Sequence, residues 1–105
     1  MEKMTPQEWR RAGEAIVVWT GFGRSSWPSR NDELIARHFG HETAAMLLPI
    51  IRRLEDDFYA SDARHTASDL AEMARISSQQ FKAKYPDVPD DAVRALAWCY
   101  TFDYK

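Results

Sequence analysis

The sequence predicts an all-α protein: a single-domain bundle of about five helices, whose third helix is kinked at Pro49. Apolar residues recur at three- and four-residue spacing along most of the chain, which is typical of helices with one buried face. Glycine, proline and capping residues interrupt that periodicity at a few places. At 105 residues there is room for one core, and we expect residues 1–105 to form one helical domain.

The first helix begins and ends at clear signals. Thr5 and Glu8 fit a capping box, and Pro6 occupies the first helical position, where its missing N–H costs nothing. The inward face then carries apolar residues at helical spacing: Trp9, Ala12, Ile16 and Trp19. Gly21 is expected to end this helix.

The next two helices are predicted to lie on either side of Gly40. Ser29 or Asn31 can cap a short second helix that contains Leu34, Ile35 and Phe39 and stops at Gly40. The third helix is expected over residues 42–59. Its apolar stripe keeps its phase across Pro49, so a kinked single helix is favoured over two separate ones.

A fourth helix is predicted over residues 61–84, with a buried face made of Ala63, Ala67, Leu70, Ala74 and Phe81. Thr66 and Asp69 offer a second capping box, which would place the start later and leave residues 61–65 in a loop. Two prolines, Pro86 and Pro89, enforce a break.

The fifth helix, over residues 89–102, carries two apolar stripes. One contains Val93, Leu96, Ala97 and Tyr100, and the other contains Ala95, Trp98, Cys99 and Phe102. A helix that is apolar on nearly every side either lies at the centre of the bundle or offers one side to another chain.

Composition and charge limit the classes of function. Fourteen basic and sixteen acidic residues give a net charge of −2, which argues against DNA or RNA as the partner. The single cysteine cannot form an internal disulfide, and no apolar run has the length of a signal peptide or membrane span. We therefore expect a cytoplasmic protein without a membrane partner.

The segment of residues 21–31 is the one long stretch in which helical periodicity stops. It holds two glycines, three serines, two arginines (Arg24 and Arg30) and Trp27. Three interpretations stay open: a connector in which Phe22 and Trp27 pack on the core, a loop that contacts a protein partner, and an anion site. No P-loop lysine or nucleophile-elbow glycine accompanies it.

Catalytic and metal chemistry finds little support in the sequence. His38 and His41, with Asp32 and Glu42 nearby, have the spacing of half a metal site, but Gly40 separates them and no cysteine cluster completes it. Cys99 lies in an apolar helix and is interpreted as a small buried hydrophobic residue. We predict no catalytic residue, no metal and no cofactor, and therefore no enzyme.

One local stretch resembles a helix-turn-helix unit. The residues that carry the resemblance are 34–47, in which Ala36 and Gly40 show the four-residue offset of that family and Phe39 precedes the glycine. The resemblance implies that His41, Glu42, Thr43 and Ala45 begin a recognition helix that enters the major groove. Pro49 within that helix, and its shortage of arginine, asparagine and glutamine, depart from the family pattern.

In size, acidity and helical content the chain resembles small bacterial immunity or antitoxin proteins. The resemblance implies a protein-binding inhibitor that occludes the active site of a toxin, such as a cationic toxin or nuclease domain. The candidate partner-binding residues are the loop residues Arg24, Trp27 and Arg30 and an acidic face made of Asp56, Asp57, Tyr59 and Asp62. A helix-turn-helix transcriptional regulator is the alternative, and the oligomeric state is left open.

Overall fold

The computed structural model describes residues 3–105, so Met1 and Glu2 of the predicted domain lie outside the described residues. The helices are α1 (Pro6–Thr20), α2 (Asp32–Phe39), α3 (His41–Tyr59), α4 (Ala63–Thr66), α5 (Leu70–Lys84) and α6 (Asp90–Tyr104). The short α4 continues α3 as one joined helix bent by 24° at residues 60–62, which gives five helices and no strand in the described chain. The all-α fold is therefore confirmed.

The local signals for α1 act as predicted. The Thr5 hydroxyl accepts a hydrogen bond from the Glu8 N–H at 3.1 Å, and the Glu8 carboxylate accepts one from the Thr5 N–H at 2.8 Å. At the other end, Gly21 adopts the left-handed conformation with φ of 78°, which glycine reaches without a Cβ clash.

The α2–α3 hairpin turns on a single residue. Asn31, rather than Ser29, caps α2 by accepting from the Glu33 N–H at 3.1 Å. Gly40 ends α2 with φ of 86° and also stands at the N-cap of α3. The helix α3 runs through Pro49 as one element, as predicted, but the bend of the joined helix lies at residues 60–62 and not at Pro49, where the kink was expected.

The predicted fourth helix over residues 61–84 is wrong at its N-terminal end. The chain leaves the helix after Thr66, and Asp69 caps α5 by accepting from the Glu72 N–H at 2.7 Å. Leu70 consequently begins α5 and is 46% exposed instead of buried. The capping pair is Asp69 with Glu72, three residues beyond the pair suggested by the sequence, and the Glu72 carboxylate also accepts from the Ser68 N–H.

Helix α6 lies at the centre of the bundle and packs against α1, α3 and α5. Members of both its apolar stripes are buried, including Val93, Leu96 and Tyr100 on one side and Ala95 and Cys99 on the other. Of the two possibilities that the stripes left open, central burial is the correct one. Its exposed large apolar residues lie in the C-terminal turn, where Phe102 and Tyr104 are each 40% exposed.

The chain segment before α6 passes very close to α1. A Cβ atom built on Gly13 would lie 2.7 Å from Cγ of Pro89, so only glycine allows this approach. In the core, Phe58 packs on both Phe81 and Tyr100, with ring centroids 5.1 and 5.8 Å away. None of the described helices is both long and apolar enough to cross a membrane.

Candidate functional site

The loop of residues 21–31 is tied at both ends to the C-terminal turn of α1. The Arg24 and Ser25 N–H groups both donate to the Gly21 carbonyl at 2.9 Å, which closes a tight turn. On the return, the Ser29 N–H donates to the Thr20 carbonyl and the Asn31 N–H to the Trp19 carbonyl, each at 3.0 Å. The loop is therefore held in one shape by backbone hydrogen bonds.

The two aromatic residues of the loop differ in burial. Phe22 is half-buried and packs against Trp98 of α6, with ring centroids 5.7 Å apart. Trp27 points away from the core and is 67% exposed. The connector interpretation is correct for Phe22 and wrong for Trp27, because the tight turn at Gly21 directs only the first of the two rings toward α6.

We call residues 23–27, all of which are exposed, the outer segment, and residues 28–31 the inner segment. The outer segment includes Arg24 and Trp27. The inner segment includes Arg30, which is half-buried. This division separates the two arginines that the sequence analysis grouped as loop contacts.

Arg30 joins the inner segment to α3 and α6. Its Nε donates to Glu55 Oε2 at 2.5 Å, and its Nη2 donates to the Tyr59 hydroxyl at 2.6 Å and to Asp103 Oδ2 at 3.0 Å. The Tyr59 hydroxyl in turn donates to Asp103 Oδ2 at 2.6 Å. We call these four residues the Arg30 network.

Burial and charge together set the protonation of this region. Burial raises the pKa of the Tyr59 hydroxyl, and its hydrogen bond to Asp103 raises it further. For Arg30, burial acts to lower the pKa, but the hydrogen bond to Glu55 and the nearby acidic groups outweigh it and the pKa is raised. Burial raises the pKa of the neighbouring Cys99 thiol to about 12. Arg30 is therefore charged and Tyr59 and Cys99 are neutral near pH 7, and the burial of Cys99 agrees with its interpretation as a small buried side chain.

The predicted acidic face is only partly available at the surface. Asp56 and Asp62 are exposed, and Asp62 accepts a hydrogen bond from the Gln80 amide at 3.2 Å. Asp57 is turned toward α5, where it accepts from the Tyr85 hydroxyl and pairs with Lys84 at 3.6 Å. Tyr59 belongs to the Arg30 network.

Among the seven predicted partner-binding residues, the structure brings Arg30 and Tyr59 into direct contact, as an internal contact. Arg24, Trp27, Asp56 and Asp62 keep exposed side chains. Sequence reasoning missed Glu55 and Asp103, which fix Arg30, and it also missed Met46, which is 70% exposed on α3. An apolar residue outside the stripe of α3 was the available signal for Met46.

The loop offers little to a phosphate group. The Arg24 and Ser25 N–H groups are committed to the Gly21 carbonyl, and Arg30 is committed to carboxylates. His38 forms a pair with Glu14 at 2.7 Å, while His41 is exposed. Residues 3–105 contain no group of three His, Cys, Asp or Glu side chains placed to hold a metal ion.

The helix-turn-helix stretch forms the α2–α3 hairpin. His41, Glu42 and Ala45 are exposed on the first turns of α3, as a recognition helix requires, and Thr43 is half-buried. The connection is Gly40 alone, however, whereas the motif uses a turn of three or four residues.

Comparison of the chain with protein-family models, with curated proteins and with solved structures finds no match in any of the three.

Proposed function

We propose that this protein is a protein-binding inhibitor of the immunity or antitoxin type, which neutralises a bacterial toxin in the cytoplasm by occluding its active site. The observation that carries the proposal is the position of Trp27, 67% exposed at the outer segment of a loop that backbone hydrogen bonds hold in place. Tryptophan is among the commonest residues at the energetic centre of protein interfaces.

The shape of the loop strengthens this role for Trp27. A loop that already has its bound shape loses little conformational entropy when a partner binds, so more of the contact energy appears as affinity. The hydrogen bonds to Thr20 and Trp19 and the Arg30 network supply that rigidity. The four residues of the outer segment other than Trp27 are small or flexible, which leaves the indole as the dominant contact.

The surface beside the loop supplies charge. Arg30 ties the loop to α3 at Glu55, and Asp56 is the next residue along that helix, with an exposed side chain. An exposed carboxylate suits a cationic partner, whose approach it accelerates electrostatically.

The test is rescue of growth. The products of the neighbouring genes are expressed singly, and any that arrests growth is then co-expressed with this chain. We expect restored growth with the native chain and loss of rescue with Trp27→Ala, because truncating a central anchor lowers affinity by about tenfold or more.

The matched control is Met46→Ala, which removes an equally exposed apolar side chain from α3. Circular dichroism verifies that both variants are folded. Rescue by Trp27→Ala at the native level, or a set of neighbouring genes with no toxic product, contradicts the proposal.

The helix-turn-helix regulator is the second candidate, favoured by the exposure of His41, Glu42 and Ala45 at the start of α3. It predicts binding to a labelled DNA duplex that weakens steeply as salt rises, and a two-fold dimer. Fluorescence anisotropy at low salt measures this directly. A monomer that leaves the anisotropy unchanged contradicts this function, whatever the outcome of the rescue experiment.

A further inference from the structure

A second surface feature lies at the opposite end of α1 from the loop. A cavity of about 510 Å³ opens there, lined by Lys3, Met4, Trp9, Arg53, Lys84, Tyr85 and Asp87. Sites that bind small molecules commonly measure about 300 to 1,000 Å³, so the volume suits an organic ligand of modest size. We call it the Trp9–Tyr85 cavity.

Two aromatic rings form one side of the cavity. The Trp9 and Tyr85 centroids are 6.0 Å apart, with their planes tilted by 55°. Tyr85 is fixed from behind, because its ring packs on Phe81 at 5.2 Å and its hydroxyl donates to Asp57. Trp9 is only half-buried, so part of its face is available to a ligand. Such rings favour a flat, unsaturated group.

Two cations are arranged around one carboxylate at the edge of these rings. Arg53 Nε lies 3.3 Å and Lys84 Nζ 3.6 Å from the carboxylate of Asp57. Their side chains are 64% and 60% exposed, so both remain open to the cavity. Arg53 donates only its Nε–H to Asp57, and its remaining guanidinium N–H groups can donate to another acceptor.

The charges of the cavity favour an anion. Lys3, Arg53 and Lys84 contribute three positive charges, and Asp57 and Asp87 contribute two negative ones. Although burial acts to raise the pKa of Asp57, the Tyr85 hydrogen bond and the two cations outweigh it and hold that pKa below its usual value. Asp57 therefore stays ionised and keeps the two cations and the phenol in place.

We propose that the Trp9–Tyr85 cavity binds a small aromatic anion, whose ring lies against Trp9 and Tyr85 and whose carboxylate or phosphate is held by Arg53 and Lys84. A neutral ring or a small inorganic anion should bind this cavity more weakly than an aromatic anion does. Each would contact only the rings or only the cations. This site is separate from the loop, so its failure leaves the proposed function untouched, and the reverse also holds.

The experiment compares three probes: 1-naphthoate, which has a ring and a carboxylate; 1-naphthalenemethanol, which has the ring alone; and acetate, which has the carboxylate alone. Binding is followed by the NMR signal of the Trp9 indole N–H, assigned with Trp9→Phe. We expect saturable shifts with 1-naphthoate, and binding at least about tenfold weaker for the other two probes.

The decisive variant is R53Q/K84Q. It should weaken 1-naphthoate by about tenfold and leave 1-naphthalenemethanol unchanged, because only the ionic contact is lost. The control variant is R75Q/K105Q, which removes the same charge from exposed positions that do not line this cavity. It should bind like the native chain.

Two results would overturn the proposal. One is equal affinity for 1-naphthoate and 1-naphthalenemethanol, which would show that charge plays no part. The other is native affinity in R53Q/K84Q. If that variant fails to fold, the native chain still decides the matter, because an affinity for 1-naphthoate that stays constant as salt rises from about 20 to 300 mM excludes an ionic contact.

Discussion

The outer and inner segments of the 21–31 loop contain similar residues but are used in opposite ways. Arg24 and Arg30 are only six positions apart, yet Arg24 is exposed and Arg30 is bound to Glu55, Tyr59 and Asp103. Trp27 of the outer segment is exposed, whereas Phe22, which precedes both segments at the start of the loop, packs on α6. The comparison shows that one loop can divide the two tasks, with the inner segment holding the shape that the outer segment presents.

The largest expected difference between the segments is in stability. Arg30→Ala should lower the free energy of unfolding by about 2 to 3 kcal/mol, because it leaves the Glu55 and Asp103 carboxylates without their partly buried cation. Arg24→Ala should change it by less than about 0.5 kcal/mol. Urea denaturation followed by tryptophan fluorescence measures both, and equal losses would remove the distinction between the segments.

The glycines of the loop allow the same comparison at the backbone. A Cβ on Gly21 would lie 2.7 Å from Ser25 Oγ at a φ of 78°, whereas a Cβ on Gly23, at a φ of 82°, meets nothing within 4 Å. We expect Gly23→Ala to cost about 1 kcal/mol, from conformation alone, and Gly21→Ala about 2 kcal/mol.

Thermal unfolding monitored by circular dichroism ranks these two variants. A larger loss for Gly23→Ala than for Gly21→Ala would mean that the outer turn, and not the junction with α1, fixes the loop.

The surroundings of the Arg30 network also carry a pH dependence, through the nearby Cys99 thiol. The Cys99 thiol ionises near 9.0 when unperturbed but keeps its proton to about 12 in the folded chain. Its contribution to stability is therefore complete below pH 9 and is lost as pH rises toward 12, by about 1.4 kcal/mol for each pH unit.

Denaturation curves at a series of alkaline pH values should show a shallower decline for Cys99→Ala than for the native chain. The raised pKa of Tyr59 acts in the same direction. The Tyr59→Phe variant should therefore also lose stability less steeply with rising pH than the native chain does. Parallel declines in all three proteins would show that neither group keeps its proton in the folded state.

The sequence predicted those features whose cause is local. The Thr5–Glu8 capping box and the glycines at 21 and 40 each depend on residues within a few positions, and all three act as expected. The start of α5 was misplaced because Thr66, Asp69 and Glu72 offer two overlapping capping patterns, and only packing chooses between them.

The site was less predictable because its contacts are distant in the chain. Arg30 is 25 residues from Glu55 and 73 residues from Asp103, and no local pattern links them. The same holds for the Trp9–Tyr85 cavity, whose walls come from α1, α3 and the end of α5. Composition correctly drew attention to the 21–31 loop but did not show which of its side chains reach the surface.

The close approach of Gly13 to Pro89 has a consequence for the order of folding. Helix α1 is made before α6, yet a large part of its packing surface is covered by α6 and the segment before it, in addition to the contacts from α2 and α3. Contacts between such distant parts of a chain form slowly, since a long loop must close first. On the ribosome, the part of α1 that packs against α6 stays uncovered until α6 emerges, and a bulkier side chain at position 13 would delay the closing step itself.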